Sequence, residues 1–132
     1  MPDPAPRVLI ADDDPDVRAA LTAQLEGQFD VVGTAADTDE AIALVTRTRP
    51  DIALVDVQMP GGGGLRATRE ICAAAPETTI VALSADESDR VVRDMLGAGA
   101  VTYIRKGLTA EALTAILQES VRARAALRRD GG

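Results

Sequence analysis

One short apolar segment constrains the fold of this chain more than any other. Residues 52–55 form an unbroken apolar run that leads directly into a carboxylate, Asp56. Pro50 and Asp51 precede the run, and Pro60 with four glycines follows it. A short apolar run bounded by turn-forming residues predicts a strand that is buried on both faces, as in a parallel sheet. Because ligands of open parallel sheets bind beyond the carboxyl ends of the strands, Asp56 is predicted at a functional edge.

The rest of the chain alternates between strand and helix patterns. Helical spacing of apolar residues, with capping residues such as Asp14, Asp37 and Thr109, predicts five helices. Apolar runs predict the other four strands at residues 7–11, 29–32, 79–84 and 100–105. Five strands that alternate with five helices predict an α/β fold, a doubly wound five-stranded parallel sheet covered on both faces.

Composition narrows the possible functions. The 132 residues favour one domain, and the formal net charge of −7 disfavours binding of the chain to nucleic acid or to an anionic membrane. The sequence contains no His, which excludes His-based triads and His-ligated metal sites. A single Cys excludes an internal disulfide and fits the reducing cytoplasm. No apolar run is long enough to predict a membrane-spanning helix.

Polar side chains follow four of the predicted strands. Asp12 and Asp13 follow the first strand, Asp56 ends the third, Ser84 ends the fourth and Lys106 follows the fifth. In a doubly wound sheet these ends lie side by side, so the side chains should converge. Three neighbouring carboxylates repel one another unless a cation binds among them, and ligands that are all oxygen suit Mg²⁺. A carboxylate in such a site can act as the nucleophile towards a phosphoryl group.

This set of residues resembles the response regulator receiver domain of two-component systems. The match rests on the acidic pair Asp12 and Asp13, on Asp56, on Ser84, and on Lys106 with Tyr103 three residues before it. The resemblance extends over residues 7–120, and the segments 8–13 and 97–103 are similar to receivers of the NarL/FixJ subfamily. It implies a flavodoxin-like receiver fold.

The resemblance also implies roles for individual residues. Asp56 would be the phosphoacceptor, receiving its phosphoryl group from a sensor histidine kinase, while Lys106 and Ser84 would contact the phosphoryl oxygens. Asp13 and Asp56 would bind Mg²⁺ directly together with the backbone carbonyl of Gln58, and Asp12 would contribute through bound water.

Further implied roles concern the switch. Tyr103 would turn inward as Ser84 moves, which would alter the face formed by the fourth helix, fifth strand and fifth helix. Gln58 and Asp86 occupy positions where the family tunes the rate of dephosphorylation. The expected protein is thus a phosphoacceptor switch and not an enzyme, with at most slow self-dephosphorylation.

The domain organisation expected from the sequence is a receiver at residues 1–120, followed at 121–132 by an Arg-rich helix end or linker. Members of the subfamily usually carry a helix-turn-helix output, which this chain lacks, so the chain would be a stand-alone receiver or a fragment. The expected partners are a sensor histidine kinase and a second copy after phosphorylation. DNA would be contacted only through an absent output domain, and no membrane would be involved.

Two alternatives stay open at this point. One is a phosphatase or phosphotransferase enzyme that uses Asp56 as its catalytic nucleophile. Such enzymes typically have a second acid two residues after the nucleophile, but position 58 of this chain is Gln. The other is a receiver-like module that binds partners without phosphorylation, against which the intact acidic pair and Lys106 argue. Taken singly, Asp14 is simply a helix cap, Lys106 a surface charge and Tyr103 a half-buried strand residue.

Overall fold

The structure, a computed structural model, describes residues 4–85 and 89–130. Its elements are β1 (Arg7–Ala11), α1 (Pro15–Leu25), β2 (Asp30–Ala35), α2 (Thr38–Thr48), β3 (Ile52–Asp56), α3 (Gly63–Ala74), β4 (Thr79–Ser84), α4 (Asp89–Ala98), β5 (Thr102–Arg105) and α5 (Ala110–Asp130). The five strands pair in parallel in the order β2-β1-β3-β4-β5. The predicted doubly wound α/β fold is therefore confirmed.

The sheet divides the core into two layers because successive side chains of a strand point to opposite faces. On one face, Leu9 and Val55 pack with residues of α2, α3 and α4. On the other face, Ile10 and Leu54 pack with residues of α1 and α5. Every residue of β3 is buried, as the apolar run in the sequence predicts for a central strand.

Helix starts agree with the capping residues in the sequence. The Asp14 carboxylate accepts a hydrogen bond from the Asp16 N–H, with Pro15 as the first helical residue. The Asp37 carboxylate accepts from the Glu40 N–H at 2.8 Å, and the Thr109 hydroxyl accepts from the Ala112 N–H at 3.2 Å. These local signals set where α1, α2 and α5 begin.

Two predicted strands have different bounds in the structure. We predict β2 at residues 29–32, but it spans Asp30–Ala35, because pairing with β1 extends the strand through Gly33 and Ala35 although glycine and alanine have weak strand propensity. We predict β5 from residue 100, but it begins at Thr102. The Ala100 N–H still bonds to the Met95 carbonyl at the end of α4, so Ala100 is not available to the sheet.

The last helix is longer than its apolar pattern requires. Leu113 and Leu117 of α5 are buried against the sheet, but Leu127, which we include in the same apolar stripe, is 69% exposed. Leu127 lies on the wall of an open surface hollow beside Pro76 and Glu77, and it is not part of the core layer that holds Leu113 and Leu117. None of the helices in the described part of the chain combines the length and apolarity that a bilayer crossing requires.

The four-glycine segment starts α3 two residues before the predicted Leu65. Gly61, Gly62 and Gly63 have φ angles of +94°, +112° and +79°, which only glycine adopts readily. Gly64 is needed for a different reason: a Cβ there would lie 2.2 Å from the Asp56 carbonyl oxygen. The helix thus approaches the end of β3 at backbone contact, and this approach places the loop that follows Asp56.

We predict that Gly64→Ala lowers the free energy of unfolding by more than about 3 kcal/mol, because the new methyl group meets main-chain atoms that cannot rotate away. Gly97→Ala is the matched control: this glycine is inside α4, a Cβ added to it would have no neighbour within 4 Å, and alanine there should stabilise by about 0.5–1 kcal/mol. Urea unfolding of both variants measures the difference, and equal effects would contradict the close approach.

Candidate functional site

The register of the sheet brings the predicted site residues to one edge. Ala11 pairs with Val55 and Asp56 pairs with Leu83, so β1, β3 and β4 end at nearly the same level. The Lys106 N–H donates to the Ser84 carbonyl at 3.0 Å, which extends the same alignment to the loop after β5. Parallel pairing alone therefore gathers side chains that are far apart in the sequence.

Lys106 lies between two buried carboxylates. Its Nζ is 2.7 Å from Asp12 Oδ2 and 3.1 Å from Asp56 Oδ2. Asp12 and Asp56 are 0% and 3% exposed, whereas the Lys106 side chain is 21% exposed and keeps some contact with solvent. The Lys106 ammonium thus forms ion pairs with two carboxylates in a largely desolvated position, where charge–charge interactions are much stronger than at the surface.

The rest of the local structure fixes Asp12. Its Oδ1 accepts the Asp14 N–H at 2.9 Å, and its backbone carbonyl accepts Arg18 Nη1 at 2.7 Å. Among the described residues, Asp12 Oδ2 accepts no hydrogen bond of regular geometry, so the Lys106 ammonium is the group that balances it. A buried carboxylate oxygen in this condition is suited to a cation.

The site shifts two pKa values. Desolvation by burial raises the pKa of Asp56 to about 6; the Asp12 charge also raises it, while the Gln58 N–H, 3.1 Å from Asp56 Oδ1, and Lys106 lower it. For Lys106, burial lowers the pKa, but the interactions with Asp12 and Asp56 outweigh burial and raise it overall. The ammonium is therefore charged throughout the physiological range, while Asp56 is held as an anion at an energetic cost.

The three acids meet the donor requirements of a hard cation. One carboxylate oxygen each from Asp12, Asp13 and Asp56 can be chosen so that all lie within 4.8 Å of one another. Asp13 is exposed, so the cluster opens to solvent on its side. Oxygen ligands at this spacing, with one buried oxygen lacking a hydrogen bond, fit a divalent metal of the Mg²⁺ or Ca²⁺ type. The cluster could hold a metal ion.

A cavity of about 160 Å³ opens beside these acids. Ser84 is buried at its wall, where the prediction places a hydroxyl. Tyr103 is instead on the outer part of β5 with 40% of its surface exposed, so it does not enter the cavity. Asp86 lies outside the described residues. The cavity is lined by Asp13, Asp56, Val57, Gln58, Ser84, Ala85, Val91 and Lys106.

Some residues of the site are not evident from the sequence. Val91 lines the cavity, yet its spacing in α4 indicates only a core position. Arg18 donates to the Asp12 carbonyl, but in the sequence it is an ordinary charged residue in the first turn of a predicted helix. No local pattern distinguishes either residue, because both contacts depend on how the helices pack against the strand ends.

A comparison of the sequence with known families identifies the domain. The sequence model described as the response regulator receiver domain matches residues 8–118. The chain belongs to the response regulator receiver domain family. The resemblance that the strand-end residues indicate is therefore confirmed.

Curated relatives agree with this assignment. The receiver is 38% identical over 124 residues to the uncharacterized transcriptional regulatory protein YxjL of Bacillus subtilis, an alignment that covers 92% of this chain and 57% of the relative. It is 35% identical over 104 residues to the DNA-binding transcriptional activator DevR/DosR of Mycobacterium tuberculosis, covering 77% of this chain and 48% of the relative. The chain spans about half the length of the curated relatives it matches.

Solved structures show the same fold. The receiver domain of the putative response regulator NarL of Mycobacterium tuberculosis superposes with a TM-score of 0.86 at 27% identity, over 91% of this chain and 98% of that one. A LuxR-family response regulator from Aurantimonas gives a TM-score of 0.85 at 29% identity, over 92% and 88%. The similarity to NarL/LuxR-type receivers thus holds in both sequence and structure.

The raised pKa of Asp56 predicts how the metal-free receiver responds to pH. Because the folded form holds the Asp56 proton more tightly than the unfolded form, its contribution to stability is present below about pH 4 and is lost as the pH rises through about 6. Asp56→Asn removes the buried charge, so at pH 7.5 with chelator the variant should be more stable than the wild type by about 2 kcal/mol.

Urea unfolding between pH 4 and 8 measures this difference, which should shrink towards the acid end of the series. Asp30→Asn, at an exposed position on β2, is the matched control and should show little change at any pH. A wild type as stable as Asp56→Asn at pH 7.5 would contradict the assigned pKa.

Proposed function

We propose that this receiver is a phosphorylation switch in which Asp56 accepts a phosphoryl group from the phosphohistidine of a sensor histidine kinase. The observation that supports the proposal most directly is the pairing of Lys106 with both Asp12 and Asp56 beside an open cavity. In the step, an Asp56 carboxylate oxygen attacks phosphorus, a P–O bond forms, and the bond from phosphorus to the histidine nitrogen breaks. The imidazole leaves with the electron pair of that bond.

The residues around Asp56 would stabilise the negative charge of the phosphoryl group. Lys106 is already at 3.1 Å from Asp56 Oδ2 and would pair with phosphoryl oxygens, and the Ser84 hydroxyl would donate to one of them. Mg²⁺ would be held by Asp13, Asp56 and the Gln58 carbonyl, with Asp12 contributing through water. When bound, the ion neutralises charge on the phosphoryl oxygens.

The negative charge of the phosphoryl group would change the conformation of residues on β4 and β5. Ser84 would move towards the phosphoryl group, and Tyr103, which is 40% exposed, would turn inward and alter the surface of α4, β5 and α5. Gln58 lines the cavity and would tune dephosphorylation, as would Asp86. Turnover would be limited to slow self-dephosphorylation, which separates this function from that of a phosphatase.

A groove next to Lys106 supports docking of the kinase. It has a volume of about 260 Å³ and lies between α1 and the loop after β5, with Val17, Leu21 and Leu108 among its apolar walls. A helical partner placed there would bring its phosphohistidine to the open side of the acidic cluster. The proposed setting is the cytoplasm, with no membrane contact.

The proposed output of this receiver rests on its relatives. DevR/DosR is described as a DNA-binding transcriptional activator, and the curated relatives are about twice as long as the aligned region. We therefore infer control of transcription by a helix-turn-helix domain outside this chain, with dimerisation after phosphorylation. Residues 1–120 would be the receiver, and the Arg-rich segment 121–132 would lead into a linker.

A phosphodonor experiment tests the phosphoacceptor role. Incubation with Mg²⁺ and acetyl phosphate should add the mass of one phosphoryl group, and the adduct should decay slowly. Asp56→Asn should give no adduct, whereas the exposed control Asp30→Asn should react like the wild type. Intact-mass spectrometry measures all three. Fast turnover of phosphoesters without an adduct would favour an enzyme, and no reaction would favour a module that works without phosphorylation.

Substitutions at two adjacent acids, Asp13 and Asp14, distinguish a metal ligand from a helix cap. Asp13→Asn should weaken Mg²⁺ binding by about tenfold or more, because it removes one of the clustered carboxylates. Asp14→Asn should bind within about twofold of the wild type, since Asn caps α1 as well as Asp does. Melting temperatures over a Mg²⁺ titration give the affinities, and equal losses for both variants would refute the assignment of Asp13.

A further inference from the structure

The loop between β3 and α3, residues 57–62, is a part of the site that lies outside the strands. It includes Gln58, whose N–H donates to Asp56 Oδ1 at 3.1 Å and whose carbonyl is the proposed metal ligand. The loop then passes through Gly61 and Gly62, both with positive φ. Glycines in such conformations supply little rigidity of their own. Contacts from outside the loop must therefore fix its path.

Thr38, the first residue of α2, brackets this loop. It is 0% exposed; its N–H donates to the Pro60 carbonyl at 3.0 Å and its hydroxyl donates to the Gly63 carbonyl at 3.1 Å. A Cβ on Gly61 would lie 3.3 Å from Thr38 Cβ, so the loop is pressed against this side chain. One buried threonine thus satisfies carbonyls on both sides of the two glycines.

Arg66 binds a loop carbonyl that Thr38 does not reach. Its Nη1 donates to the Gly61 carbonyl at 2.5 Å, and the same guanidinium pairs with Asp39 on α2 at 2.9 Å and with Glu70 on α3 at 2.7 Å. The two acids orient a planar donor that would otherwise sample many rotamers. Two sets of contacts therefore connect the loop to α2: the hydrogen bonds of Thr38, and the Arg66 guanidinium, which binds both the loop and Asp39.

We propose that Thr38 and Arg66 are positioning residues for the Mg²⁺ site, which hold the glycine loop so that the Gln58 main chain faces Asp56. The inference rests on the proposed function of the acidic cluster. Neither residue touches the cluster, so each acts through the loop backbone. Groups that hydrogen-bond metal ligands directly commonly change metal affinity by about one to two orders of magnitude, and residues one step further out should act at the lower end of that range.

The test compares substitutions that remove these contacts with matched ones that do not. Thr38→Val keeps the shape and removes the hydroxyl, and Thr38→Ser restores the donor. Thr46→Val, at an exposed site on the same helix, is the control. Mg²⁺ affinity is read from melting temperatures over a Mg²⁺ titration, and the decay of the acetyl-phosphate adduct is followed by intact mass. Thr38→Val should weaken Mg²⁺ binding about tenfold and alter the decay rate, while Thr38→Ser and Thr46→Val stay within about twofold of the wild type.

Arg66→Gln provides a second variant at a partly exposed position, with Arg69→Gln as its control, so the test does not depend on whether Thr38→Val folds. Arg66→Gln should also weaken Mg²⁺ binding, whereas Arg69→Gln should not. A purely structural role would lower the melting temperature of the metal-free protein and leave the Mg²⁺ affinity unchanged, and that result overturns the inference. A wild type that neither binds Mg²⁺ nor forms an adduct overturns the proposed function itself, and the inference with it.

Discussion

The charge balance at the carboxyl edge of the sheet is the constraint that the surrounding structure has to satisfy. Asp12 and Asp56 are both buried, and Lys106 is shared between them. For Asp56, burial costs more than the Lys106 ammonium and the Gln58 N–H return, and the pKa of Asp56 is raised for this reason. The fold tolerates this cost because β1, β3 and β4 are largely apolar, buried and paired with a strand on each side. The buried charges therefore lower the stability of the folded domain, and the packing of the sheet offsets this cost.

The fold and the charged residues of the site are predictable from the sequence because both rest on strong local patterns. The β3 run ends in Asp56, β4 spans the predicted Thr79–Ser84, and parallel pairing then aligns strand ends without further information. The sequence does not specify that Lys106 pairs with Asp12 as well as with Asp56. That sharing depends on side-chain reach across two strands, which no spacing in the chain encodes.

The misplaced boundaries share one physical cause, which is that tertiary contacts override local propensity. Gly33 joins β2 because β1 offers it a partner, and Gly63 and Gly64 join α3 because the helix must approach the β3 backbone. Thr38 gives no sign of its role either, since a threonine at a helix start is ordinary. Its importance comes from the loop it meets, and that loop is brought close only when α2 and α3 pack.

The arrangement also explains how a small charge change at Asp56 could reach distant surfaces in the proposed function. A phosphoryl group would add negative charge where negative charge is already in excess, so Lys106 could no longer serve Asp12 and Asp56 equally. Lys106 and Ser84 sit at the ends of β5 and β4, joined by a main-chain hydrogen bond of 3.0 Å. Any movement of the ammonium or of the hydroxyl towards the phosphoryl group therefore acts on both strands together. Because Tyr103 lies on β5 with an exposed ring, the outer surface of that strand is the first place where the change would become visible to a partner.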